Sequence, residues 1–169
     1  MYRNILLAVA LQNWDEITPH AEAARLAAIS LAKGSTGHLY VLTVYNYGKM
    51  VRLSMLEGDE VVGLYTESQY LESQKREIEE EVNEKMAKFI LPIKGEGVDV
   101  TTLLRAGNPR EEIVGIAREV KADIIVMGAH SKRTFLDVLL GGTAQTVSAK
   151  APCPVLLVNP PEKLASSYR

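Results

Sequence analysis

The sequence predicts a single doubly wound α/β domain built on a parallel sheet, and three observations carry that expectation. Short, nearly continuous apolar runs alternate along the chain with segments of helical period, the pattern of strands covered on both faces. The predicted order is β-α-β-α-β-α-β-α-β, which right-handed crossovers convert into helices on both faces of one sheet. The length of 169 residues, 47% apolar and 24% charged, suits one globular domain with a real core. We place that domain at residues 1–160, with an insertion at about 46–67 and a polar tail at 161–169.

Asn4–Ala10 reads as the first strand. Arg3 stands before Ile5–Leu11, but cleavage after Ala8-Val9-Ala10 would leave an apolar stretch of only about three residues, far short of a signal sequence. Pro19–Lys33 follows as a helix with Ala24, Ala28 and Leu31 on one face. Thr18 suits its N-cap, Pro19 its first position and Gly34 its C-terminal stop. Gly37–Val44 is the second strand, with Tyr40 and the adjoining Tyr45 as packing residues. Residues 46–67 break the rhythm: their apolar residues show no sustained period, and Gly48, Gly58 and Gly63 interrupt them. The segment is read as a lid, a partner surface or an apolar flap over the sheet edge.

Ser68–Ile90 should be a long helix, with Leu71, Ile78, Val82, Met86 and Phe89 as its apolar stripe. Its other face carries Glu77, Glu79, Glu80, Glu81 and Glu84, expected to face solvent. Val98–Leu104 and Asp123–Met127 are the next strands, separated by a helix over Pro109–Val120 with Ile113, Ile116, Ala117 and Val120 inward. A last helix from near Gly142 to Lys150 leads into the terminal strand, Pro154–Val158. That strand leaves an unpaired sheet edge, from which a homodimer is expected.

Composition narrows the function. Nineteen Lys plus Arg against twenty-one Asp plus Glu give a net charge of −2, which excludes a strongly basic nucleic-acid surface. No apolar run is long enough to span a bilayer, so no membrane partner is expected and a cytoplasmic location is. A single cysteine, Cys153, excludes an internal disulfide, and three scattered histidines (His20, His38, His130) make no metal cluster. Cys153 reads as a small hydrophobe between Pro152 and Pro154.

The motifs of P-loop NTPases, dinucleotide-binding folds, serine hydrolases and zincins are all absent. What is present is Gly128 directly after a strand, and Gly141-Gly142-Thr143 directly before a helix. Such glycines let backbone approach a ligand, and the helix start offers N–H groups to an anion. The same tripeptide is also an ordinary loop-to-helix turn. Both readings stand at this point. His130 and Lys132 flank the glycine loop, and Trp14 and Asp15 follow the first strand. Each is read either as part of a ligand site or as an exposed loop residue.

Met127-Gly128-Ala129-His130-Ser131, nine residues, Gly141-Gly142-Thr143 and the final Ala151-Pro152-Cys153-Pro154-Val155 resemble the C-terminal half of universal stress proteins. Gly107-Asn108-Pro109, Glu112-Ile113, Ala122–Val126 and Asn4–Ala10 extend the resemblance over most of the chain. It implies five parallel strands in the order 3-2-1-4-5 with four helices, a dimer, which the edge strand 154–158 would join, and a stress-response role. For ATP or another adenine nucleotide it implies an adenine site near Val9, Val44 and Met127. Phosphates would then lie near Gly128, Ser131, Gly141 and Thr143, with Mg2+ entering only alongside bound nucleotide. The sequence departs from the family motif in three places. Ala10 stands where an acid contacts nucleotide, Ser131 replaces the second glycine, and Gly142 replaces a Ser or Thr. With the acid gone no general base is visible, and no enzyme is expected. The alternative is a non-nucleotide interaction module of the same fold, docking an unknown protein partner through 46–67.

Overall fold

The computed structural model describes residues 1–11, 17–46, 67–129, 131–134 and 137–161. Within these, β1 (Asn4–Val9), α1 (Pro19–Ser35), β2 (His38–Tyr45), α2 (Glu67–Gly95), β3 (Val100–Ala106), α3 (Pro109–Glu119) and β4 (Ile124–Gly128) follow in turn. After them come β5 (Ser131–Thr134), β6 (Asp137–Leu140), α4 (Gly142–Lys150) and β7 (Val155–Val158). The main sheet has five parallel strands in the order β3-β2-β1-β4-β7, the expected 3-2-1-4-5. The 46–67 insertion lies outside the described residues except for Asn46 and Glu67, as do Trp14, Asp15, His130 and the tail from 162.

Side chains alternate across the central strand and so found two cores. Ile5, Leu7 and Val9 face α1 and α2 in a cluster with Leu39, Val41, Phe89, Ile93 and Val126. Leu6 and Ala8 face the other way, joining Leu42, Ile125, Met127, Ile113, Ile116 and Val147 under α3 and α4. The predicted stripe of α2 is buried at Ile78, Val82, Met86 and Phe89, and its five glutamates are exposed. In α1 the inward positions Ala24, Ala28 and Ala32 are small and at most 2% exposed, so the helix axis can approach the sheet closely. Arg25 adds a tie to α2: its Nη1 donates to the Phe89 carbonyl at 3.2 Å while the guanidinium lies over the Phe89 ring.

Element limits follow from caps and packing. Thr18 caps α1 by accepting the Ala21 N–H at 3.2 Å, and Pro19 occupies the first turn. Gly34 does not end that helix. The left-handed residue is Thr36 (φ 50°), and Gly37 follows because a Cβ there would sit 2.5 Å from the Tyr2 carbonyl. Helix α2 outruns its expected end at Ile90 and continues to Gly95, although it contains Pro92. Pro92 is on the exposed side, where the carbonyl it leaves unbonded can meet water, and the next residue, Ile93, is fully buried. β3 starts and ends two residues later than the apolar run implies. Val98 is buried in the loop before it, and Arg105 and Ala106 pair with Val44 and Tyr45 at its far end. The β5–β6 hairpin was not expected. It is a two-stranded antiparallel ribbon in which Ser131 pairs with Leu140.

One end of the sheet is fastened by side chains. The Asp123 carboxylate accepts the Arg3 and Asn4 N–H groups at 2.7 and 2.9 Å, and Asn4 Nδ2 donates to the Val120 carbonyl at 3.0 Å. The backbone donors hold the Asp123 carboxyl below its ordinary range. Beside them His38 bridges Asp99 Oδ2 and Thr101 Oγ1 at 2.8 and 2.9 Å. The carboxyl ends of the strands lie opposite, and the cavity is there.

Candidate functional site

A cavity of about 480 Å³ opens where β1, β2 and β4 end and α1, α3 and α4 begin. This is the switch point of the sheet, since successive strands run outward from β1 in one direction and then from β4 in the other. The size suits a small organic ligand. Its apolar floor comes from Val9, Leu42, Val44, Ile113 and Met127, all of them core residues on β1, β2, β4 or α3.

Eight of the nine residues named from the sequence line this cavity: Val9, Ala10, Val44, Met127, Gly128, Gly141, Gly142 and Thr143. Ser131 is placed by its backbone, at the start of β5. Ala10 is exposed at the end of β1. It is held there because the next residue, Leu11, is buried and its N–H reaches the Thr43 hydroxyl at 3.4 Å. The sequence reading missed Thr18, His20, Asn46 and Pro109, which complete the wall from the first turns of α1 and α3 and the end of β2. The strand-end position of Asn46 could have pointed to it; His20 carried no such signal.

The helix starts around the cavity differ. α1 is capped by Thr18 and α3 by Asn108, whose Oδ1 accepts the Arg110 N–H at 3.1 Å. α4 begins at Gly141 with no side-chain cap, and its first residues line the cavity, so the positive end of its dipole lies beside it. The glycines divide by role. A Cβ on Gly128 would lie 2.9 Å from His20 Cβ and 3.1 Å from its carbonyl oxygen, so this glycine lets α1 pack on the end of β4. A Cβ on Gly142 would lie 2.5 Å from Arg110 Nη2.

No carboxylate lines the cavity among the described residues, and His20 is the titratable side chain on its wall. Nor do the described residues include three His, Cys, Asp or Glu grouped to hold a metal. The cavity joins apolar side chains of the strands and α3 to the backbone of an uncapped helix start. Cys153 is elsewhere, against the second core. Burial, and then the Asp123 charge, push its thiol up, away from a reactive thiolate.

A cavity at the switch point of a five-stranded 3-2-1-4-5 parallel sheet with helices on both faces defines the class. The chain belongs to the universal stress protein family, whose model matches residues 1–159. It is 31% identical over 160 residues to universal stress protein MJ0577 of Methanocaldococcus jannaschii, covering 94% of this chain and 95% of that protein. It is 32% identical over 158 residues to a universal stress protein of Thermus aquaticus, covering 94% and 99%. The solved structure of MJ0577 superposes with a TM-score of 0.71 at 25% identity, covering 94% of this chain and 96% of that one. Structures of the same fold also include a universal stress protein in complex with cAMP (20% identity, TM-score 0.57, covering 95% of this chain and 99% of that one). Another, from Archaeoglobus fulgidus in complex with dAMP, has 24% identity and a TM-score of 0.60, covering 92% and 97%. Among the described residues no helix is long and apolar enough to cross a membrane.

Proposed function

We propose that this universal stress protein is a regulator that binds an adenine nucleotide (ATP, ADP or AMP) in the cavity at the strand ends. The observation that carries the reading is the joining, in one cavity, of an apolar floor (Val9, Val44, Met127) with the uncapped start of α4 at Gly141-Gly142-Thr143. A purine would lie on the floor and its phosphates would accept the N–H groups of the helix start. Two proteins of this fold hold cAMP and dAMP, so the fold accommodates adenine nucleotides. The protein acts as a binder, not an enzyme, in the cytoplasm, and engages neither nucleic acid nor membrane. Mg2+ would arrive only with nucleotide.

The working unit is a homodimer through β7. This strand is at the sheet edge, and Leu156 on it is 37% exposed. Two-fold pairing would satisfy its free backbone groups. Light scattering at tens of micromolar should give the mass of a dimer, and a strictly monomeric mass rejects it.

Ala10 supports a second reading, an interaction module without nucleotide, because it brings no polar group to the cavity mouth. Denaturing the purified protein and assaying the supernatant for adenine nucleotide, then titrating ATP by calorimetry, separates the two. Neither released nucleotide nor measurable ATP binding would leave the interaction module.

A further inference from the structure

We propose that Arg110 is a phosphate-binding residue of this cavity, and that position 142 is glycine so that the guanidinium can reach the start of α4. The inference rests on the nucleotide reading above and assigns the cavity to a multiply charged ligand, a nucleoside di- or triphosphate.

Arg110 is the second residue of α3, directly after the cavity residue Pro109. Its backbone N–H is committed to the Asn108 cap, which fixes the turn from which the side chain leaves. The side chain then crosses to α4, where Nη2 and Cζ stand 2.5 and 3.3 Å from the place a Cβ on Gly142 would occupy. Glu111 and Glu112 are its chain neighbours, yet among the described residues the guanidinium makes no hydrogen bond or ion pair. It lies instead beside a helix start, a pole of its own sign. Two positive groups converging beside one cavity are a grip for an anion, and a guanidinium fork matches phosphate oxygens. A Ser or Thr at 142 would put its Cβ 2.5 Å from Nη2, so the guanidinium would have to withdraw from the start of α4. Glycine at 142 leaves the cation room beside the helix start. One phosphate can be served by the helix start alone. The added charge favours ligands with two or more.

The test is calorimetric titration of the parent, Arg110→Gln, Arg110→Lys and Gly142→Ser with ATP, AMP, adenosine and pyrophosphate. Arg110 is exposed, so its replacement leaves the core untouched. We expect Arg110→Gln to weaken ATP by about tenfold, the worth of one charged hydrogen bond, and to leave adenosine unchanged. Arg110→Lys should fall between. Gly142→Ser should weaken ATP in the parent and cost nothing further in Arg110→Gln. Equal ATP affinity in the parent and Arg110→Gln overturns the proposal, and additive losses overturn the role given to Gly142. If the parent binds pyrophosphate through Arg110 but shows no preference for adenine nucleotides, the anion site stands and the nucleotide reading fails. If it binds neither ATP nor pyrophosphate, both fall.

Discussion

Replacing Gly128 by alanine isolates how much of the glycine motif is architecture. The added methyl would meet His20 Cβ at 2.9 Å, the His20 carbonyl oxygen at 3.1 Å and its carbonyl carbon at 3.2 Å. None of these is the tip of a flexible side chain, so relief requires the first turn of α1 to move off β4 by a few tenths of an ångström. Overpacking of this kind costs about 1–3 kcal/mol. For a domain of this size each kcal/mol lowers the thermal midpoint by about 2–4 °C. Gly115 is the control. It is exposed inside α3 with nothing within 4 Å of its would-be Cβ, and alanine there should add about 0.5–1 kcal/mol of stability. Urea unfolding and thermal melts of both variants, without ligand, read the difference. Gly128→Ala as stable as the parent would refute the packing role and return the glycine wholly to ligand approach.

Three further outcomes follow from the same geometry. Ala10→Asp should tighten ATP binding by up to about tenfold if its carboxylate reaches ribose hydroxyls; the exposed position keeps its desolvation cost low, and calorimetry showing weaker binding would mean it faces phosphate. Gly141→Val should reduce ATP binding with the fold intact by circular dichroism, because a branched side chain at the start of α4 blocks approach to its N–H groups; unchanged affinity places the ligand elsewhere. Asp123→Asn should destabilise the protein at neutral pH. The folded carboxyl titrates below its ordinary value, so the parent's advantage is full above about pH 4 and fades as pH falls through the folded pKa; urea midpoints with a pH-independent gap would contradict this.

The strands of the main sheet and the four helices were legible because apolar periodicity and caps act locally, while most of the cavity residues came from the family resemblance. Thr18-Pro19 and Asn108-Pro109 announce helix starts, and the resemblance carried the strand order. Less legible was whatever depends on distant contacts. Gly37 is placed by the Tyr2 carbonyl and Gly128 by His20, and no local pattern records either neighbour. Pro92 reads as a stop, yet its exposed placement lets α2 run on to bury Ile93. The four-residue strands of the β5–β6 hairpin are too short to show a period. The position of Arg110 over Gly142 joins two helices whose sequences are about thirty residues apart, so only the fold reveals it.

The fastening of one end of the sheet by Asp123, Asn4 and His38 has a practical bearing on redesign. These side chains hold the strand starts in register from the far side of the core, about the length of a strand from Ala10, Gly142 and Thr143. Ligand preference can therefore be rewritten at the open end by libraries at those three positions, while foldability is guarded at the other. The domain is in this sense a scaffold for new small-molecule binders, whose exposed cavity positions can be varied while the packing glycine Gly128 is kept.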